Sequence, residues 1–319
     1  MITIGFSSHR IEALPYIRKH MERHQVIVLE EPAVPEFSEM LEGRLSIDEY
    51  MMTSEAEFPE FERQMCVLLR DLHESGQHIV QVEPYLEGLL QIHEILSQGK
   101  TPQDIVRDPR LEEVYRAEKR ATGTLLSYYT QALQAPFEGV IEALKAFAQA
   151  DADRLVLRGR LRARAIHALA LGRGDTYVEA GYLHYPLYRF LRKAAGHGCK
   201  VRVVYLLAPV VRRLHGKRRN MGPGDILTLH YALGGTLSKG KADLLAARSL
   251  IYIKLIQKDE VLPGVSNAPH TEDETGVNRV VDQLSMEACK VLFDNIRLAK
   301  REQALQLVQA YLMQSSKQP

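Results

Sequence analysis

Two histidines and three glutamates in this 319-residue sequence stand where short apolar runs end: His9, Glu30, Glu31, Glu83 and His184. Imidazole is a base and metal ligand near neutral pH, and a carboxylate can orient it, take a proton itself or bind a cation. Brought together, such groups could activate a water, or hold a divalent ion that keeps one position open for that water. The expected chemistry is hydrolysis. His9, Glu30, Glu31, Glu83 and His184 are the candidate catalytic groups, and His9, Glu30 and His184 the candidate metal ligands. The competing reading is structural: the glutamates pair with arginines such as Arg160, Arg162 and Arg164, from the run Arg158-Gly159-Arg160-Leu161-Arg162-Ala163-Arg164, and the histidines only cap helices. In the functional reading Arg160, Arg162 and Arg164 form a positive wall that orients carboxylates or binds an anionic substrate group. At 100° per residue the four arginines cannot all share one helical face.

The elements around these residues decide whether they can meet. Met1 to Ile4 is a short apolar run ending at Gly5-Phe6-Ser7-Ser8, and Ile11, Leu14, Ile17 and Met21 recur at helical spacing. Val26-Ile27-Val28-Leu29 is apolar without alternation, as in a strand covered on both faces, and Pro32 ends it. This is a strand-helix-strand unit, which carries loop side chains to the carboxyl edge of a parallel sheet, where open α/β folds bind ligands. Because strand side chains alternate, only one of Glu30 and Glu31 can lead into a given site, and Glu30 is favoured. Phe58 to Glu74 reads as a helix, and His78 to Val82 as a third strand ending in Glu83-Pro84. Thr176 to Ala180, then His184, a helix over Tyr185 to Ala195 and a strand over Val201 to Leu207, repeat the opening pattern about 175 residues later.

The fold class expected is α/β: a mostly parallel central sheet flanked by helices, built from two related strand-His-helix-strand units. One domain is expected over 1–319. It comprises a first half at 1–85, a helical insertion at 86–172, a second half at 173–210 and a helical C-terminal region at 211–319. Within it, Gly172 to Asp175 reads as a turn, Arg212 to Arg219 as a solvated basic loop, and Pro263 to Gly276 as a polar loop. Val280 to about Met313 reads as a long amphipathic helix or helix pair. A stripe of Val291, Ile296 and Leu305 could dimerise there.

Composition narrows the partners. With 41 basic against 40 acidic side chains the net charge is +1, which gives no field favouring nucleic acid or an anionic membrane. The expected partner is a small molecule or peptide. No apolar run approaches the ~20 residues that span a bilayer, and a strand entered at Ile2 leaves no room for a signal peptide, so a cytoplasmic location is expected. Cys66, Cys199 and Cys289 lack any CxxC spacing and read as reduced thiols. Gly235-Thr236-Leu237-Ser238-Lys239-Gly240-Lys241 matches a phosphate-loop pattern, but Ala242 lacks the hydroxyl and a helix precedes it. His20 and His24 have ligand spacing on a charged stretch that reads as an exposed helix end.

The unit Gly5-Phe6-Ser7-Ser8-His9 with Val26-Ile27-Val28-Leu29-Glu30-Glu31 resembles the opening of the TraB/TIKI superfamily, to which ChaN-like and erythromycin-esterase-like proteins are related. Val178-Glu179-Ala180-Gly181-Tyr182-Leu183-His184, preceded by the arginine-rich helix, resembles that superfamily's second G-x-x-H motif. The resemblance covers about Ile2 to Leu207, and Gly5 stands four residues before His9 where the family pattern has three. It implies an α/β fold with two related halves. In some members it implies a metal-dependent protease or water-activating esterase, acting on peptide or ester bonds through His9, Glu30 or Glu31, and His184, with Glu83 a further acidic position. Other related proteins bind heme or act in signalling, which leaves a non-catalytic metal-, cofactor- or partner-binding protein as the alternative.

Overall fold

The computed structural model describes residues 1–53, 56–170, 174–196, 198–216 and 219–315. Gly172 and Arg173 of the expected turn, His197, Lys217 and Arg218 of the basic segment, and the last four residues of the tail lie outside them. The chain forms two compact units, Met1–Ala117 with Leu155–Val210 and Asp259–Pro269, and Glu118–Arg154 with Val211–Lys258 and His270–Pro319. Two of the boundaries, at 117/118 and 154/155, fall within long helices, so the expected insertion at 86–172 contributes to both units.

The first unit holds a parallel sheet of β1 (Ile2–Ser7), β2 (Val26–Leu29), β3 (His78–Gln81), β4 (Thr176–Gly181) and β5 (Val201–Tyr205), ordered β3-β2-β4-β1-β5. The fold is the α/β class expected. Every residue of β1 and β2 is buried, as the unbroken apolar run of β2 requires of a strand covered on both faces. The chain lays down β1, β2 and β3 in one direction, then returns to insert β4 between β1 and β2 and to set β5 beyond β1. The order therefore reverses at β4, the kind of switch point outside whose carboxyl end α/β sheets hold ligands.

Helices of this unit are α1 (Leu14–Met21), α2 (Pro35–Leu41), α3 (Ile47–Met52), α4 (Pro59–Glu74), α5 (Pro84–Ser97) and α6 (Pro102–Ile105). To these it adds the first part of α7 (Pro109–Gln134), the last part of α8 (Phe137–Ala170), and α9 (Tyr185–Ala195). One face of the sheet packs Ile4, Phe6, Val178 and Ala180 on Ala163 and Ile166 of α8 and on Leu187 and Leu191 of α9. By alternation the other face carries Thr3 and Gly5 of β1 with Tyr177 and Glu179 of β4. Gly5 lies opposite Glu179 in the ladder, and a Cβ there would collide with the Tyr177 ring. Gly5 is thus a glycine of the strand body.

A second glycine fixes α8. A Cβ on Gly159 would stand 2.8 Å from the Leu187 backbone nitrogen, so the α8 backbone rests directly on the first turn of α9, just after His184. Gly159→Ala is expected to lose about 1–3 kcal/mol to overpacking, although alanine is the better helix former by ~1 kcal/mol. Urea denaturation measures this, and a more stable variant would contradict the close approach.

The second unit is helical in its described residues. It combines the remainder of α7 and α8 with α10 (Ala208–His215, from Val211 on), α11 (Pro223–Ala232), α12 (Lys239–Leu255), α13 (Pro269–Val281, from His270 on), α14 (Met286–Ile296) and α15 (Arg301–Ser315). Its core includes Val140, Ile141, Ala246, Ile251, Val281, Cys289 and Ile296. Three expectations are corrected here. Arg212 to His215 is helical because Val210 and Val211 are buried and supply an apolar side for a turn of helix. The loop expected over Pro263 to Gly276 holds as far as Ala268 and from Pro269 gives way to α13, which buries Val277 and Val281. The proposed dimer stripe is not exposed as a stripe: Val291 is 41% exposed, but Ile296 is fully buried in the core. In the first unit His24 is likewise a core residue, its Nε2 2.9 Å from Thr3 Oγ1 and its Nδ1 2.6 Å from the His20 carbonyl oxygen.

Candidate active site

The five strand-end residues gather at the carboxyl edge, but in two layers. The buried layer starts from Glu30, directly after β2. Its Oε1 accepts from His184 Nδ1 and from Arg162 Nη1 at 2.9 Å, and its Oε2 accepts from the Gly181 backbone N–H at 2.8 Å. Arg162, 1% exposed, also donates from Nε to the Val82 carbonyl and from Nη1 to the Glu179 carbonyl, each at 2.8 Å. Burial alone would raise the Glu30 carboxyl, but the charges of His184, Arg162 and Arg158 hold it well below the usual carboxylate range. Glu83 is wholly buried, with Arg158 Nη2 at 3.5 Å and Arg162 Nε at 3.7 Å. Two carboxylates thus face two guanidiniums, stitching the ends of β2, β3 and β4 to α8.

The second layer lines a cavity of ≈500 Å³, within the ~300–1,000 Å³ common for small-molecule sites. His9, in the loop after β1, stacks on Phe61 of α4 with ring centroids 5.4 Å apart. Its Nε2 lies 4.0 Å from Oε1 of the buried Glu179, whose Oε2 accepts the Glu30 backbone N–H at 3.3 Å. Glu31 turns the opposite way from Glu30, as strand alternation demands, and lines the cavity. Its Oε2 accepts from Gln81 Nε2 at 2.8 Å. Burial and the neighbouring Glu179 charge push the Glu31 carboxyl up to about 7, so it exchanges protons near neutral pH. Cys66 on the same wall is pushed the other way from reactivity: burial, then Glu62 and Glu31, raise its thiol to about 12. Burial first, with Glu31 adding to it, also keeps the Tyr50 phenol protonated as a hydrogen-bonding group.

Several assignments are corrected by this geometry. Arg160 pairs with Glu113 and Arg164 is exposed, so neither reaches the edge; on a helix, Arg158 and Arg162 share a face and residues two apart do not. Glu83 lies under the arginines and does not line the cavity. His9, Glu30 and His184 do not assemble as a ligand set: His9 faces Glu179, while Glu30 spends its oxygens on a guanidinium, an imidazole and a backbone N–H. A cation at Glu30 would have to displace Arg162. Among the described residues no group of three or more His, Cys, Asp or Glu is arranged to hold a metal ion. Sequence reasoning passed over Glu179, although a glutamate inside the otherwise apolar run Tyr177 to Ala180 is a signal of a buried partner. Gln81, Tyr50 and Arg158 carried weaker signals.

This geometry can be compared with known proteins. An uncharacterized protein of Archaeoglobus fulgidus is 32% identical over 291 residues, covering 91% of this chain and 97% of that protein. The chain belongs to its family. The matched length takes in most of both units, so the likeness is one of whole chains. No family model and no solved structure matches.

Proposed function

We propose that the sheet unit is a hydrolase-type catalyst that cleaves an ester or amide bond held in the cavity between His9 and Glu31. His9 Nε2 takes a proton from a water, whose oxygen attacks the carbonyl carbon; Glu179 opposes the positive charge that develops on the ring. Protonated Glu31 gives its proton to the leaving oxygen or nitrogen as the bond to carbon breaks. The observation that carries the reading is the 4.0 Å approach of His9 Nε2 to buried Glu179 at a cavity that Glu31 shares. Such contacts are often long without substrate and tighten in the complex. Among the described residues the lining carries Glu31, Glu36, Glu57, Glu62 and Glu179 with His9 as its only basic side chain, which favours an uncharged or cationic substrate. Glu30 is already held by Arg162, so in this reading His9 activates the water. The resemblance to the TraB/TIKI superfamily points the same way, with its water-activating esterases as the nearer analogy, and a cytoplasmic location belongs to this reading.

One observation favours the alternative of a non-catalytic binding protein: His184, the histidine of the second G-x-x-H-like motif, is tied to Glu30 and does not line the cavity. Turnover separates the two. On a panel of aryl esters and dipeptide amides, the native chain is expected to hydrolyse at least one. Glu179→Gln, which keeps an acceptor for the Glu30 N–H but removes the charge, is expected to slow it about 10–100-fold. No turnover on the panel, or a Glu179→Gln rate equal to native, would overturn the hydrolase reading.

A further inference from the structure

The second unit holds a cavity of its own, ≈520 Å³, with no tie to the acid and base chemistry above. Its polar wall carries Arg219, Arg279, Asn278 and Thr275 together with His215 and His230. Thr275 is only 3% exposed, and its hydroxyl oxygen has no hydrogen-bond partner among the described residues. Both ring nitrogens of His215 and Nε2 of His230 are buried and equally unpartnered. Buried polar atoms left this way are costly unless something supplies the missing bond. Arg279 donates to the Leu214 carbonyl, not to a carboxylate, so its positive charge stays available. Asn278 is set in place by donating to Asn220 Oδ1 at 2.7 Å, leaving its own side-chain oxygen and second N–H toward other partners. The one carboxylate among the described residues of the lining, Asp282, faces Arg248 at 3.9 Å. The remaining wall is apolar, from Met221, Ile226, Leu229 and Leu233.

We infer that this cavity binds a small phosphorylated molecule, its phosphate against Arg279, Thr275 and the histidines and its organic body against the leucine side. A phosphate ester offers several strong acceptor oxygens at once, which suits guanidinium, hydroxyl and imidazole donors converging from α10 and α13. An apolar body of nucleoside or aryl size would cover the wall opposite. The size of the cavity lies within the ~300–1,000 Å³ of small-molecule sites. Of the basic run at Arg212 to Arg219, His215 and Arg219 line this cavity.

Isothermal titration of the full chain with adenosine monophosphate, 4-nitrophenyl phosphate, inorganic phosphate and adenosine tests the inference. At least one of the two phosphate esters is expected to bind, and its unphosphorylated counterpart or inorganic phosphate to bind about tenfold or more weakly. Arg279→Gln should weaken the ester about 10–100-fold. Because that change also removes the bond to Leu214, Ile226→Glu serves beside it: Ile226 is 43% exposed, and a carboxylate at that rim should repel the phosphate without disturbing the core. Circular dichroism confirms that both variants are folded. No binding of either ester at millimolar concentration, equal binding of adenosine and its monophosphate, or affinity unchanged in folded Ile226→Glu would each overturn the inference. Glu31→Gln, in the other unit, should leave this binding as it is.

Discussion

Arg162→Met is expected to cost the protein about 3–5 kcal/mol of folding stability, the range for breaking a buried ion pair by removing one partner. The guanidinium lies at the centre of the carboxyl edge. It holds the Glu30 carboxylate, the Val82 and Glu179 carbonyls, and stands beside Glu83, all in a layer closed to solvent. Methionine can fill much of the volume but leaves two buried carboxylates with only Arg158, His184 and the Gly181 N–H, and takes a guanidinium donor from two carbonyls. The measurement is the urea midpoint at unchanged slope. Arg160→Ala and Arg164→Ala, from the same helix, should fall within about 0.5 kcal/mol of native, since Arg160 makes a half-exposed pair and Arg164 faces solvent. A loss below 1 kcal/mol in Arg162→Met would mean that the cluster is not what locks the strand ends together.

His9→Ala is expected to lower hydrolysis about 10²–10⁴-fold, the usual worth of a positioned general base, while barely changing stability. His9 has a side chain 53% exposed and rests on Phe61, so its loss opens no core cavity. His184→Ala should do the reverse. It removes a partner of the buried Glu30 carboxylate, and so should lower stability more than it lowers the rate measured well below the new melting point. Kinetics with saturating substrate and parallel denaturation curves distinguish the two variants. If His184→Ala abolished turnover in a fully folded protein and His9→Ala did not, the roles assigned to the two layers would be exchanged.

Much of the sheet was legible because its signals are local. The unbroken apolar run of β2 and the prolines at Pro32 and Pro84 mark strands ending in charged residues, and the repeated strand-His-helix-strand pattern places β1, β2, β4 and β5. The alternation argument also held at Glu30 and Glu31, which go to opposite sides; what it could not supply was which side had the cavity and which the arginines. That depends on α8, whose docking is set by Gly159 at the start of α9, a contact far apart in sequence. Once α8 is placed, helical geometry selects Arg158 and Arg162 and discards Arg160 and Arg164. Glu179 was missed because a strand glutamate has no local cue to its partner, His9, which arrives from another strand. In the C-terminal region, periodicity gave helices but could not tell that Ile296 turns inward, since a stripe looks the same whether a neighbour or solvent faces it.

The acid and base division at the cavity is tested most directly by the pH dependence of hydrolysis in the native chain and in Glu31→Gln. In the proposed hydrolysis Glu31 is the proton donor, and its raised carboxyl is protonated below about 7 and ionised above it. The native rate should therefore fall as pH rises through about 7, because the form able to protonate the leaving group is lost. Glu31→Gln should react more slowly at low pH and show no such fall. A native rate that keeps rising through that range, or a Glu31→Gln variant with the same alkaline decline, would contradict the account.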